Sequence, residues 1–145
     1  MIISRKFLII NGPNLNMLGE REPEIYGNLS LAEIIQYTEK KLIQQNCECI
    51  WFQSNIEGEI VSRIQELTKQ DFNGLIINPG GYAHTSIAIL DALQILKIPI
   101  IEVHLTNTHK REEFRQVKLT ARASTIILEG LGKNAYLMAI QSQLL

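Results

Sequence analysis

Short apolar runs of β-type composition alternate along the chain with stripes of helical period. Phe7-Leu8-Ile9-Ile10, Cys49-Ile50-Trp51-Phe52, Leu75-Ile76-Ile77, Pro99-Ile100-Ile101-Glu102-Val103 and Thr125-Ile126-Ile127-Leu128 predict five strands. The third is short and β-branched, which fits burial on both faces. Between them, Ser30-Leu31-Ala32-Glu33 is a capping-box signature, and Leu31, Ile34, Ile35, Leu42 and Ile43 extend it as a helical stripe. Ile60, Val61, Ile64 and Leu67 repeat at helical spacing, and Thr85 or Ser86 caps a helix carrying Ile87, Leu90, Leu93 and Leu96. Arg111 to Arg115 predicts a short helical turn, and Asn134 to Leu145 a closing helix. The order β-α-β-α-β-α-β-turn-β-α predicts an α/β fold, a five-stranded parallel sheet with helices on both faces. The flavodoxin-like strand order 2-1-3-4-5 is the common solution for this count.

One connection breaks the pattern. Gly12 to Leu29 is far longer than the usual link of about 2–6 residues between a strand and its helix. It carries a charged stretch from Gly19 to Glu24, and Leu15, Met17, Leu18, Ile25 and Tyr26 as apolar anchors. These features predict a lid, about residues 19–28, that orders over the edge of a single domain spanning 1–145. Polar segments directly follow four of the strands: Asn11-Gly12-Pro13-Asn14, Asn78-Pro79-Gly80-Gly81, His104-Leu105-Thr106-Asn107 and Glu129-Gly130. The carboxyl ends of parallel strands share one edge, so these segments converge there into a site for a small polar molecule.

Composition narrows the class. Hydrophobic residues make up 46% and charged residues 20% of the 145, an ordinary globular balance, and a net charge of -1 argues against a nucleic-acid binder. No run approaches the ~20 apolar residues of a membrane helix. The apolar stretch from Met1 to Ile10 is too short for a leader and is interrupted by Ser4-Arg5-Lys6, so the expected location is the cytoplasm. Cys47 and Cys49 are the only cysteines, and with no second pair to complete a zinc site they are expected to be packed thiols.

Several side chains at the predicted edge carry chemistry, each with an alternative. Tyr26 and Arg21 share the lid. A free tyrosine titrates near pH 10, and lowering that by ~3 units takes about 4 kcal/mol of preferential stabilisation of the anion, which a close guanidinium supplies in part. A phenolate suits abstraction of a proton next to a carbonyl; the alternative is a packing anchor beside a solvated arginine. Glu102 and His104 lie two apart on a strand, so they share a face, and a carboxylate there orients an imidazole as a general acid. The pair equally serves as a self-satisfied structural couple, or as the start of a metal site with His84, His109 or Asp91, although that spacing matches no strong metal pattern. His84 follows a glycine-rich turn before a helix, where a polar ligand oxygen is favoured. Asn14 and Asn78 offer directed hydrogen bonds or simple turn chemistry. Arg111 and Arg115, four apart, present either an anion-binding face or a solvated charge run.

Taken together these residues resemble the type II 3-dehydroquinate dehydratase family, over nearly the whole chain. The resemblance rests on Ile10 to Gly19, Arg21-Glu22-Pro23 with Ile25-Tyr26-Gly27, Gln53-Ser54-Asn55 with Glu57-Gly58, and Ile77-Asn78-Pro79-Gly80. It continues through His84-Thr85-Ser86, Asp91-Ala92, Ile101 to His104 and Arg111 to Arg115. It implies a lyase of the shikimate pathway, dehydrating 3-dehydroquinate to 3-dehydroshikimate through an enolate, with no metal, organic cofactor or lysine imine. By that resemblance Tyr26 is the base, Arg21 its activating cation, Asn14 the holder of a water near the enolate oxygen, and His104 the acid, oriented by Glu102. Asn78, His84 and Arg115 match substrate-binding positions, and the Leu105-Thr106 backbone matches the amides that receive the carboxylate. Arg111 matches a second arginine near the tyrosine. Asp91 matches a position acting near a neighbouring subunit's site, within a homododecamer built as a tetramer of trimers. Ala83, Leu90, Thr106 and Lys118 depart from the family's usual residues without removing any of these groups. A phosphate-accepting receiver would instead want acidic residues where Asn11 and Asn78 stand, and a flavin carrier would want hydroxyls where Gly12 to Leu15 lie.

Overall fold

The computed structural model describes residues 4–145; Met1 to Ile3, the start of the run weighed against a leader, lie outside the described residues. The strands are β1 (Arg5–Asn11), β2 (Cys47–Gln53), β3 (Gly74–Asn78), β4 (Ile100–His104) and β5 (Ile126–Glu129). The first three are longer than their apolar runs because polar ends also join the ladder: Asn11 sits in register with both Gln53 and Asn78. The last two are displaced by one residue. Pro99 has no N–H to give β4, and it contributes only its carbonyl, which accepts from Leu75 N at 3.0 Å. All neighbouring pairs are parallel and the order is β2-β1-β3-β4-β5, as predicted.

Among the described residues five α-helices accompany them: α1 (Pro23–Tyr26), α2 (Leu31–Lys41), α3 (Glu57–Glu66), α4 (Ile87–Ile95) and α5 (Ala135–Ser142). The capping box forms as read, Ser30 Oγ accepting from Glu33 N and Glu33 Oε1 accepting from Ser30 N, both at 3.1 Å. Strand periodicity then assigns the layers. Phe7 and Ile9 of β1 pack toward α2 and α5, while Leu8 and Ile10 pack toward α3 and α4. Each such fully buried side chain contributes about 1.5–3 kcal/mol of hydrophobic transfer free energy.

Two stripes differ from expectation. Ile43 is exposed because α2 has already ended at Leu42. Ile87, at the start of α4, is exposed, whereas Leu90 and Leu93 of the expected stripe are buried together with Ile89 and Ala92, and Ser86 serves as the cap by accepting from Ile89 N at 2.9 Å. The long connection after β1 is not wholly irregular. It contains α1, entered through Glu22 at φ 35° and left through Gly27 at φ 85°.

The sheet's topological switch point lies between β1 and β3, where the chain begins to build in the opposite direction. There Gly12 N donates to Asn78 O at 2.8 Å. A Cβ on Gly12 would stand 2.4 Å from Pro79 O and 2.7 Å from Pro79 C, so the two strand ends meet only because residue 12 has no side chain. Gly12→Ala is therefore expected to cost about 3 kcal/mol through forced backbone displacement, a fall in Tm of roughly 10 °C for a chain of this size. Calorimetry reporting an unchanged Tm would show that this approach is not tight.

Candidate active site

At the carboxyl edge of the sheet the loops after β1, β3 and β4 enclose a pocket of about 100 Å3. Asn14, Asn78, His84, His104, Leu105 and Thr106 line it from the strand ends, Arg21 and Tyr26 from the long connection, and Arg111 and Arg115 from the segment after β4. Sequence reasoning had put all ten at one site, and the fold brings them together. Glu102 does not reach the pocket; it lies fully buried behind His104. Asp91 is not brought to the pocket either. It stands exposed on α4.

Tyr26 ends the single turn of α1 and lies between two guanidiniums. Arg111 Nη1 donates to its hydroxyl oxygen at 2.8 Å and Arg21 Nη2 at 3.3 Å. The guanidinium carbons of Arg21 and Arg111 also lie 4.4 and 5.0 Å from the ring centroid, so both cations sit against the π face as well. Both guanidiniums thus converge on one phenolic oxygen. Arg111 is steadied by the Glu112 carboxylate at 3.5 Å, which also holds Arg115 at 3.2 Å.

His104 ends β4 and is buried, its Nε2 2.7 Å from Glu102 Oε2. A carboxylate accepts, so Nε2 carries the proton in that bond, and Nδ1 is the nitrogen left for a ligand. His84 stacks beside it, ring centroids 6.3 Å apart and planes inclined by 25°. Its Nδ1 donates to Val117 O at 2.8 Å, which leaves Nε2 as an acceptor. Burial holds the His84 imidazole below its ordinary value; the Val117 carbonyl opposes this, and His104, Arg115 and Lys118 reinforce it. At neutral pH the stack therefore pairs a neutral acceptor, His84, with a carboxylate-backed imidazole.

The asparagines are positioned by residues whose role sequence reasoning missed. Asn14 is in the left-handed region at φ 68°, uncommon without glycine. Its N–H donates to Asn55 Oδ1 at 2.9 Å, while Gln53 Nε2 donates to Gly12 O at 3.1 Å, so the end of β2 braces this loop. Asn78 is buried, with Oδ1 accepting from Gly80 N and Nδ2 donating to Tyr136 Oη, both at 3.2 Å. Tyr136, on α5 and fully buried, in turn donates to Asn11 Oδ1, and burial pushes its phenol far above the ordinary range. Gln53 and Asn55 could have been singled out as polar residues directly after a strand. Tyr136 gave no local signal, since on a helix it reads as core.

Cys47 and Cys49 pack against the α2 and α5 layer, and burial pushes the Cys49 thiol up to about 12, as expected of packed thiols. Among the described residues no three His, Cys, Asp or Glu side chains are placed to share a metal ion. Among those residues, too, no helix is long and apolar enough to cross a membrane.

A family model described as dehydroquinase class II matches residues 5–144. The chain belongs to the class II dehydroquinase family. Within that family it is 49% identical over 134 residues, 92% of this chain and 90% of the relative, to a 3-dehydroquinate dehydratase of Clostridium botulinum (strain Loch Maree). It is 51% identical over 135 residues, 93% of this chain and 82% of the relative, to a 3-dehydroquinate dehydratase of Aliarcobacter butzleri. The crystal structure of a type II dehydroquinase from Butyrivibrio crossotus superposes with a TM-score of 0.94 at 42% identity, covering 97% of each chain. The class II dehydroquinase fold thus accounts for the flavodoxin-like topology read from the alternation of elements.

Proposed function

We propose that this class II dehydroquinase removes water from 3-dehydroquinate to give 3-dehydroshikimate, as the lyase of that step in the shikimate pathway, through an enolate. The observation that carries the reading is a phenol gripped by two guanidiniums on a pocket that also receives a carboxylate-backed imidazole. The substrate proton lies α to a ketone, so its removal needs a base and a stabilised enolate. The departing hydroxyl lies β to that ketone and leaves well only when protonated.

In the proposed sequence Tyr26, as phenolate, takes the C–H proton while Arg21 and Arg111 offset the charge. The electron pair moves onto the carbonyl oxygen, near a water held by Asn14. The enolate then expels the β-hydroxyl as His104 delivers a proton, and the C–O bond breaks to release water. Glu102 steadies the imidazolium, and solvent returns the proton from Tyr26 to His104 for the next cycle. Asn78, His84 and Arg115 hold the substrate hydroxyls, and the backbone amides of Leu105 and Thr106 receive its carboxylate. The stretch 19–28 acts as a lid that brings Tyr26 in after substrate and excludes bulk water.

The proposed setting is a cytoplasmic homododecamer in which Asp91 serves a neighbouring subunit's site. Purified protein mixed with 3-dehydroquinate is expected to develop the absorbance of a conjugated enone. A flat trace would refute the function, and light scattering that reads a fully active monomer would refute the assembly.

A further inference from the structure

We infer that Thr120 is a positioning residue for the proposed acid His104, acting through Glu102; the inference rests on the function proposed above. Glu102 is a fully buried carboxylate, and such a group is tolerable only if each oxygen finds a donor. One oxygen is taken by His104 Nε2 at 2.7 Å. The other accepts from Thr120 Oγ1 at 2.6 Å, and Thr120 is itself fully buried, so water cannot replace it. The hydroxyl thereby fixes the carboxylate plane and keeps Oε2 directed at the imidazole.

The segment carrying Thr120 is tied to the site along its length. Val117 O accepts from His84 Nδ1 at 2.8 Å, and Leu119 N donates to Ala83 O at 2.7 Å. One short strap thus sets the donor and acceptor nitrogens of both stacked imidazoles, one through a backbone carbonyl and the other through a hydroxyl and a carboxylate. Without the hydroxyl, Glu102 either turns its free oxygen toward another donor or takes up a proton. Both outcomes strip His104 of an oriented anionic partner while leaving the pocket walls unchanged.

The test compares Thr120→Val, which keeps the shape and loses the donor, with Thr120→Ser, which keeps the donor. In the enone assay Thr120→Val is expected to lower kcat on the order of tenfold, the scale of a lost hydrogen bond to a charged group. KM should change less than about twofold if the group acts on the proton-transfer step alone, and serine should restore most of the rate. Proton–nitrogen NMR of the imidazoles supplies a reading independent of turnover: the His104 Nε2–H signal should move in the valine variant and not in the serine one. An unmoved signal with unchanged kcat in Thr120→Val, or equal losses in both variants, would overturn the assignment. If the valine variant does not fold, Thr120→Ala against Thr120→Ser decides, equal kcat and equal spectra counting against it. A wild-type protein inactive on 3-dehydroquinate would refute the proposed function instead, while the NMR comparison still judges the positioning role.

Discussion

Tyr26→Phe should reduce turnover of 3-dehydroquinate by about 10²–10⁴-fold, the range expected when a positioned acid or base is removed. The fold should survive. The ring keeps its place between the guanidiniums of Arg21 and Arg111, and the lost atom bonds only to those two side chains. Both arginines retain solvent or Glu112 as alternative partners, so no buried group is orphaned. Substrate binding should also persist, because the groups proposed to hold the carboxylate and hydroxyls are untouched. The expected pattern is a collapsed kcat, a KM within a few-fold of wild type and an unaltered unfolding transition. Retention of more than a few percent of the wild-type rate would remove Tyr26 from the role of base and send the search to another group on the pocket.

Much of this site was legible because parallel-sheet topology turns sequence order into spatial convergence. Asn78 and His104 end their strands and Asn14 follows its own closely, and the strand ends then bring them together without further information. Arg21 and Tyr26 were legible for another reason: the nineteen residues between β1 and α2 are too many for a connector, and their apolar anchors needed somewhere to pack. What local pattern could not carry was support from distant elements. Tyr136 reaches Asn78 from a helix 58 positions later, and Thr120 reaches Glu102 from the start of a short 3-10 helix 18 positions on. Nothing in either neighbourhood encodes the partner. The facing of α4 failed at one position. Leu90 and Leu93 of the expected stripe are buried, but Ile87 is exposed and Ile89 takes the inward place, a choice that only the side on which the sheet lies decides. The displaced starts of β4 and β5 show the same limit, since ladder pairing rather than apolarity sets where a strand begins.

His104→Ala should differ from Tyr26→Phe in two measurable ways. The first is stability. Tyr26 loses an oxygen at a pocket wall, but His104 is the partner of a fully buried carboxylate, and removing it strands Glu102 with Thr120 alone. Leaving a buried charged group short of a partner costs about 3 kcal/mol or more, unless Glu102 takes up a proton. The unfolding transition should therefore fall in this variant and not in the phenylalanine one. The second difference is chemical. Turnover should again drop by about 10²-fold or more, but only the later half of the elimination is blocked. With Tyr26 and both arginines intact, the α-proton can still be removed and returned. In deuterated water the alanine variant should exchange that hydrogen for deuterium in recovered 3-dehydroquinate while making little enone, whereas Tyr26→Phe should do neither. Normal dehydration by His104→Ala would reassign the acid, and a failure to exchange would mean that the imidazole is needed before the C–H bond breaks.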